Sequence, residues 1–302
     1  MGAAFQDYFV LDLHIGEGFT AIVNFMQAHF DLFFVAISNT ISFVADNLTA
    51  FFNYLPPELV FGVLAILALW RVGWKFALFV LVGLYVVIGM DLWSESMDTL
   101  GLVIAATLAA LGIGLPIGVL MAKSEIVSTI VRPVLDFMQT LPAFVYLIPA
   151  VIFFGTGRVP GTIATVIFSM PPAVRLMNLG IRQVPRENVE AGRAFGCNQM
   201  QLLFKVELPL AMPTIMAGVN QTIMLALSMV VIASMIGAGG LGDPVLAGIQ
   251  QLRLGVGFEG GLGVVILAII LDRLTQSFAS PDRTRAGPMT RIKQFFSRGD
   301  AQ

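Results

Sequence analysis

Val189-Glu190-Ala191-Gly192-Arg193-Ala194-Phe195-Gly196, followed nine residues later by Val206-Glu207-Leu208-Pro209, is a polar stretch too long and too patterned to be a simple connector. Glu190, Ala191, Ala194 and Phe195 recur at helical spacing, so one face is small and apolar while Glu190 and Arg193 stay polar. Gly196 can end that helix in a left-handed conformation that other residues resist. Asn198 is placed as the N-cap of a second helix running toward Pro209. The predicted unit is two short helices joined by a glycine turn on a membrane surface. Such a surface can insert into a groove on a soluble partner and transmit its movement.

The chain around this stretch is apolar. Of 302 residues, 57% are hydrophobic and 12% charged, about half the charged share of an ordinary soluble domain. The first Lys or Arg is Arg71, so the start lacks the basic n-region of a secretory signal peptide. The single Cys197 allows no internal disulfide and reads as a buried or idle thiol. His14 and His29 are too isolated to indicate a metal site, and none is expected.

Spanning the hydrocarbon takes roughly 20 apolar residues. Apolar segments fall near 57–71, 75–92, 97–122, 133–155, 160–181, 211–236 and 258–279. The expectation is an all-α polytopic membrane protein of about seven transmembrane helices. Gly112, Gly114, Pro116 and Gly118 give the third span a small-residue face suited to close helix contact. Pro142 and Pro149 are expected to interrupt the fourth span, and Pro171-Pro172 the fifth. Breaks at membrane depth survive only where protein or a water-filled path satisfies the backbone. They mark packing kinks more often than binding sites, but they point to a translocation path.

Basic residues set the orientation. With 182–209 on the cytoplasmic side, Arg71, Lys75, Lys123, Arg132 and the tail residues Arg283, Arg285, Arg291, Lys293 and Arg298 fall on that side too. The other side receives Asp91-Leu92-Trp93-Ser94-Glu95 and the acidic N-terminal segment, with only Arg158 and Arg253. The reading is N-terminus outside and C-terminus inside. It divides the chain into an extracytoplasmic or interfacial segment 1–56, a transmembrane domain 57–280 with the polar loop at 185–209, and a basic tail 281–302. Residues 19–53 mix many Phe with Asn and Asp, as in an amphipathic helix lying in the interface. An additional span there would reverse the side of residues 1–18.

The loop resembles E-A-A-x₃-G-x₉-I-x-L-P, the signature by which permease subunits of ABC importers contact their ATPase. Glu190, Ala191, Gly196, Leu208 and Pro209 match it. Gly192 departs where Ala is usual, and Val206 departs conservatively. Leu141-Pro142-Ala143-Phe144-Val145-Tyr146-Leu147-Ile148-Pro149, Pro171-Pro172-Ala173-Val174-Arg175-Leu176 and the run from Leu208 to Thr222 resemble the glycine betaine/proline (quaternary-amine) importer permeases. So do Ala226–Ile236 and Gly239-Gly240-Leu241-Gly242. The similarity covers about 97–280.

This resemblance implies a type I ABC importer permease fold and import of glycine betaine, proline betaine, choline or proline. It also implies a homodimer with a second permease chain, two copies of a cytoplasmic ATP-binding subunit, and a periplasmic or lipid-anchored solute-binding protein. No G-x-x-x-x-G-K-[ST] occurs, so ATP and its Mg²⁺ are assigned to the partner ATPase, with no cofactor and no catalytic residue in this chain. No nucleic-acid partner is expected. Gly237-Ala238-Gly239-Gly240-Leu241-Gly242 satisfies G-x-G-x-x-G, yet it follows a membrane helix rather than a strand, so a flexible external turn is the better reading.

A methylated ammonium offers no N–H, so aromatic faces are its usual receptors. Phe144, Tyr146, Pro149, Pro171, Pro172, Asn220 and Ser228 are therefore candidates for the translocation path, although lipid-facing or core roles also fit the aromatics. Asp136 and Arg175 lie near span ends, where ionisable groups are functional candidates or snorkel. An importer for another small solute, such as an amino acid, is the alternative. An ion-coupled transporter would need a relay of embedded carboxylates, approached only by Asp136, Asp272 and Glu259. A membrane enzyme would need a nucleophile or a His/Asp/Glu cluster, and neither is visible.

Overall fold

Pro56-Pro57 separates the first two helices of the computed structural model, which describes residues 15–279. Every regular element among these residues is helical: α1 (Ile15–Tyr54), α2 (Pro57–Arg71), α3 (Trp74–Gly89), α4 (Trp93–Lys123), α5 (Glu125–Thr140), α6 (Leu147–Phe154), α7 (Arg158–Arg182), α8 (Arg186–Ala194), α9 (Gln199–Leu202), α10 (Leu208–Ala233), α11 (Gly242–Gln250) and α12 (Leu254–Ala279). A tight 3-10 turn, Ala143–Tyr146, leads into α6, a wide π turn, Leu203–Glu207, joins α9 to α10, and a second 3-10 turn, Ser234–Ile236, follows α10. Residues 1–14 of the N-terminal segment and the expected basic tail lie outside the described residues.

The chain divides into a unit ending at Thr40 and a second from Ile41 onward. In the first, Phe30 leaves helical geometry (φ -121, ψ 21) and bends α1. The stretch Gly16–Tyr54 is itself long and apolar enough to cross a membrane, which the interspersed Asn and Asp had argued against.

The second unit is built on three helices that meet through small residues. A methyl group on Gly118 of α4 would lie 2.6 Å from Met177 Cβ and 2.7 Å from the Val174 carbonyl of α7. On Gly114 it would sit 3.1 Å from Met170. These neighbours advance together, so α4 and α7 run parallel. Against α10, Gly180 faces Ala211 and Thr214, while Gly161 faces Ala233 and Ala238, so α7 and α10 are antiparallel along their whole length. Backbone approach of this kind replaces the hydrophobic drive that lipid cannot supply. Gly112 takes no part, because nothing lies within 4 Å of it.

Five helices among the described residues are long and apolar enough to span: the stretches 16–54, 93–123, 158–182, 199–236 and 254–278. The pair α5 and 143–154 makes a sixth if counted as one broken span, bent by 110°. The expected spans 57–71 and 75–92 are helices of 15 and 16 residues. At 1.5 Å per residue such helices reach about 24 Å, short of a hydrocarbon core of roughly 30 Å.

Of the four prolines, Pro142 alone acts as expected. Pro142 does break its span, and Leu141 before it is extended (φ -70, ψ 135), as a residue preceding proline prefers. Pro149 breaks nothing, since it is the third residue of α6 and its missing N–H falls in the first turn. Pro171 and Pro172 lie buried inside an uninterrupted α7. They free the carbonyls of residues 167 and 168, yet the helix continues through them. A methyl on Gly218 of α10 would come within 3.3 Å of the Pro172 carbonyl.

Candidate functional site

The loop end of the second unit carries residues 183–207, and its local structure follows from three residue choices. Pro185 caps α8 at its N-terminus. At the other end Gly196 has φ +80, its N–H bonds to Arg193 O at 2.9 Å, and the Cys197 N–H reaches Gly192 O at 3.1 Å. That is the Schellman arrangement, and it requires a left-handed residue at this position. Asn198 then starts the next helix by accepting from Gln201 N at 2.8 Å, while Gln201 Oε1 accepts from Asn198 N at 3.0 Å. These reciprocal bonds form a capping box.

Beyond the glycine turn the expected second short helix does not stop at Pro209. Residues 199–236 form one apolar helical stretch. The π turn falls where Pro209 withholds an N–H and crowds the carbonyl four residues earlier, and the Leu208 N–H bonds to Leu203 O instead. The loop is thus one free helix, α8, followed by the root of a span.

The outer face of α8 is open: Glu190, Ala191, Arg193 and Ala194 are exposed, and Phe195 is 90% exposed. The underside rests on Leu202 and Val206. Gly192 is buried there, and a methyl on it would meet Leu202 Cδ1 at 2.8 Å. Below lies an apolar cluster of Met177, Ile181, Val184, Leu203, Ala211 and Ile215, with Leu115, Val119 and Val189 against it.

Charge holds the roots of the loop. Arg182, the last residue of α7, donates to Glu125 Oε1 at 2.6 Å, to Met121 O at 2.7 Å and to Asn178 Oδ1 at 2.8 Å. On the other root, Glu207 pairs with Lys123, the last residue of α4. Glu207 is 5% exposed. Neither ion pair was legible as such, because the partners are separated by 57 and 84 positions.

The far end closes with backbone. Leu241 N–H donates to Thr99 Oγ1 at 2.8 Å, and a methyl on Gly240 (φ +82) would strike that oxygen at 2.5 Å. Asp98 accepts from Asn53 at 2.6 Å and from Arg158 at 2.9 Å. The glycine-rich turn 237–242 is therefore wedged into the bundle, with Leu241 fully buried, where a loose turn was expected.

The path candidates scatter. Tyr146 is buried, its hydroxyl donates to Met138 O, and its ring meets Phe168 edge-on at 5.9 Å. Phe144, two residues earlier, is exposed, and Pro149 is half-buried. Pro171 and Pro172 serve helix packing. Asn220 turns away to Asp272 of α12 at 2.8 Å, and Gln276 joins at 2.7 Å. Ser228 stays on an open face of α10 with Ala217, Gln221 and Met224, its hydroxyl bonded to Met224 O. Asp136 is paired with Arg175.

Residues 114–280 match the family of binding-protein-dependent transport system inner membrane components, and the chain belongs to that family. It is 54% identical over 253 residues to the glycine betaine/carnitine transport permease protein of Listeria monocytogenes, covering 82% of this chain and 90% of that one. It is 48% identical over 276 residues to the glycine betaine/proline betaine transport system permease protein of Escherichia coli, covering 91% and 77%. Among solved structures, the inward-facing MetNI methionine ABC transporter overlays with a TM-score of 0.54 at 25% identity, over 65% of this chain and 95% of that chain. The fold is that of an ABC importer permease, and the chain is a multi-pass membrane protein.

Proposed function

We propose that this chain is the transmembrane permease of an ATP-driven importer of quaternary amines, with glycine betaine and proline betaine as its leading substrates. The observation that carries the reading is α8: an exposed helix with a protruding Phe195, closed by a Schellman turn and a capping box, seated on the roots of two spans. A soluble ATPase docks on that face from the cytoplasm, supplies the ATP and Mg²⁺ sites, and moves α7 and α10 through it. The names of the relatives support the solute class.

The same reading puts the loop end in the cytoplasm and the far end outside. Lys123 and Arg182 lie at the loop end. Arg71 joins them, stacked 4.2 Å from the ring of Phe278 at the end of α12. Gly263, in the first half of α12, packs on Leu241 toward the far end, so α12 runs from there to the loop end. Asp98 and Asp243 sit at the opposite end, where a solute-binding protein delivers its cargo. A second permease chain completes the path, with Gln221, Met224 and Ser228 on its open wall.

The test is reconstitution with the ATPase and binding protein in liposomes. ATP-dependent uptake of labelled glycine betaine is expected, competed by proline betaine. Uptake that proceeds without ATP and follows a proton or sodium gradient overturns the reading.

A further inference from the structure

Both roots of the docking loop are tied to one short corner, the end of α4 and the start of α5. On the upstream root Arg182 grips Met121 O and Glu125 Oε1, three residues before the cap of α8. On the downstream root Glu207 grips Lys123. Met121, Lys123 and Glu125 are alternate residues of the same corner, and Ser124 between them ends α4 and caps α5 by accepting from Val127 N at 3.4 Å. The loop therefore has two charged attachments to a helix pair that neither α7 nor α10 continues into.

The two attachments differ in kind. Arg182 spreads over a backbone carbonyl, an amide and a carboxylate, and the Glu125 side chain is 78% exposed. Its carboxylate contact is solvated and adds little alone. The Glu207 side chain is 7% exposed, against 33% for Lys123. A carboxylate removed from water to that degree is retained only against a partner, because leaving it unpaired is costly. Glu207 is also the last residue of the π turn. A π turn holds one residue more than the α-helical register needs, so a small axial shift can be absorbed there without breaking the span.

We propose that Glu207 is the positioning residue of a strut that carries displacement of the docking helix onto α4 and α5 through Lys123. The π turn supplies the play at its base. The inference rests on the docking-loop reading above and adds the route by which α4 and α5, which do not bear the loop, are made to move with it. Without the strut, α8 still binds the ATPase, because its exposed face is untouched, but its movement reaches only α7 and α10.

The test uses the full reconstituted complex. Glu207→Gln keeps the shape and removes the charge. Lys123 is one-third exposed and can be solvated by water once unpaired. Expected are wild-type assembly with the ATPase, wild-type basal hydrolysis and an unchanged KM for the loaded binding protein. Solute carried per ATP falls roughly tenfold, within the usual range of coupling between sites. The charge-exchanged double variant Lys123→Glu/Glu207→Lys restores most of that ratio, which a merely structural loss does not allow. Wild-type transport per ATP in Glu207→Gln, or no rescue in the exchanged pair while both variants assemble, overturns the strut. Gly196→Val in parallel separates the two claims: if it uncouples while Glu207→Gln does not, the docking loop stands and the strut falls. If neither uncouples, the docking-loop reading falls first.

Discussion

The two ends of α4 are held in opposite ways. At the far end Thr99 meets the backbone of the 237–242 turn so closely that Gly240 has no room for a side chain. At the loop end Lys123 holds Glu207 by charge, and above it α8 presents an open face. A contact made by backbone approach has one geometry and resists displacement. A charged pair beside a π turn can follow a moving partner. The difference teaches which end of α4 is built to stay fixed and, on the docking-loop reading, which end is built to move.

Substitutions can break the comparison or sharpen it. The largest effect is expected from Gly240→Ala, which combines a left-handed backbone with an overlap onto Thr99 Oγ1. Strain and overpacking together should cost about 3 kcal/mol or more, read as a lowered unfolding temperature of the detergent-solubilised protein. A silent Gly240→Ala would mean the far end is looser than its geometry.

Gly196→Val comes next and separates stability from coupling. Nothing lies within 4 Å of Gly196, so the penalty is conformational only, from φ +80, on the order of 1–2 kcal/mol. Uptake should fail while ATP hydrolysis persists. Gly196→Asn should keep more coupling, since Asn tolerates the left-handed region. Equal failure of both would show that the position is sensed sterically by the partner.

A smaller effect concerns pH at the far end. Burial raises the Asp243 carboxyl above its ordinary 3.8, nearby Asp98 and Glu95 add to the rise, and Arg158 opposes it. A raised carboxyl favours the protonated form in the folded state. That contribution is fully present below the unfolded value and is lost as pH rises through the raised one. Asp243→Asn should therefore be more stable than the parent at pH 7, and the gap should close in acid. An unfolding temperature for Asp243→Asn below the parent's at pH 7 would reverse this account.

The smallest effect belongs to Gly192→Ala. It gains roughly 1 kcal/mol of helix propensity and displaces only the flexible tip of Leu202. Near-neutral stability and coupling are expected by the same two measurements. A large loss would mean that the close seat of α8 on Leu202 is itself required.

What the residues disclosed, and what they withheld, divides by range. Gly196 and Asn198 act on their immediate neighbours, so the left-handed helix end and the N-cap could be read directly. Pro142 also acts locally, and its break was legible. Pro171 and Pro172 lie buried inside a continuous α7, with the Pro172 carbonyl facing Gly218 of α10, a neighbour that no local rule contains. Asn220 is a path candidate by residue type, while its partner Asp272 lies on another helix and is not legible from Asn220 alone. The strut at Glu207 was hidden for the same reason: one of its ends was inside the quoted loop and the other was 84 positions away.

Phe195 carries a consequence for the life of the protein before it works. A ring left 90% bare at the tip of a polar helix is an unfinished surface, of the sort that marks an interaction site when covered and an aggregation hazard when not. If the proposed ATPase covers it, a copy made without that partner would leave the ring bare. On the docking-loop reading, one ring would thus serve both the assembled machine and the recognition of copies left without a partner.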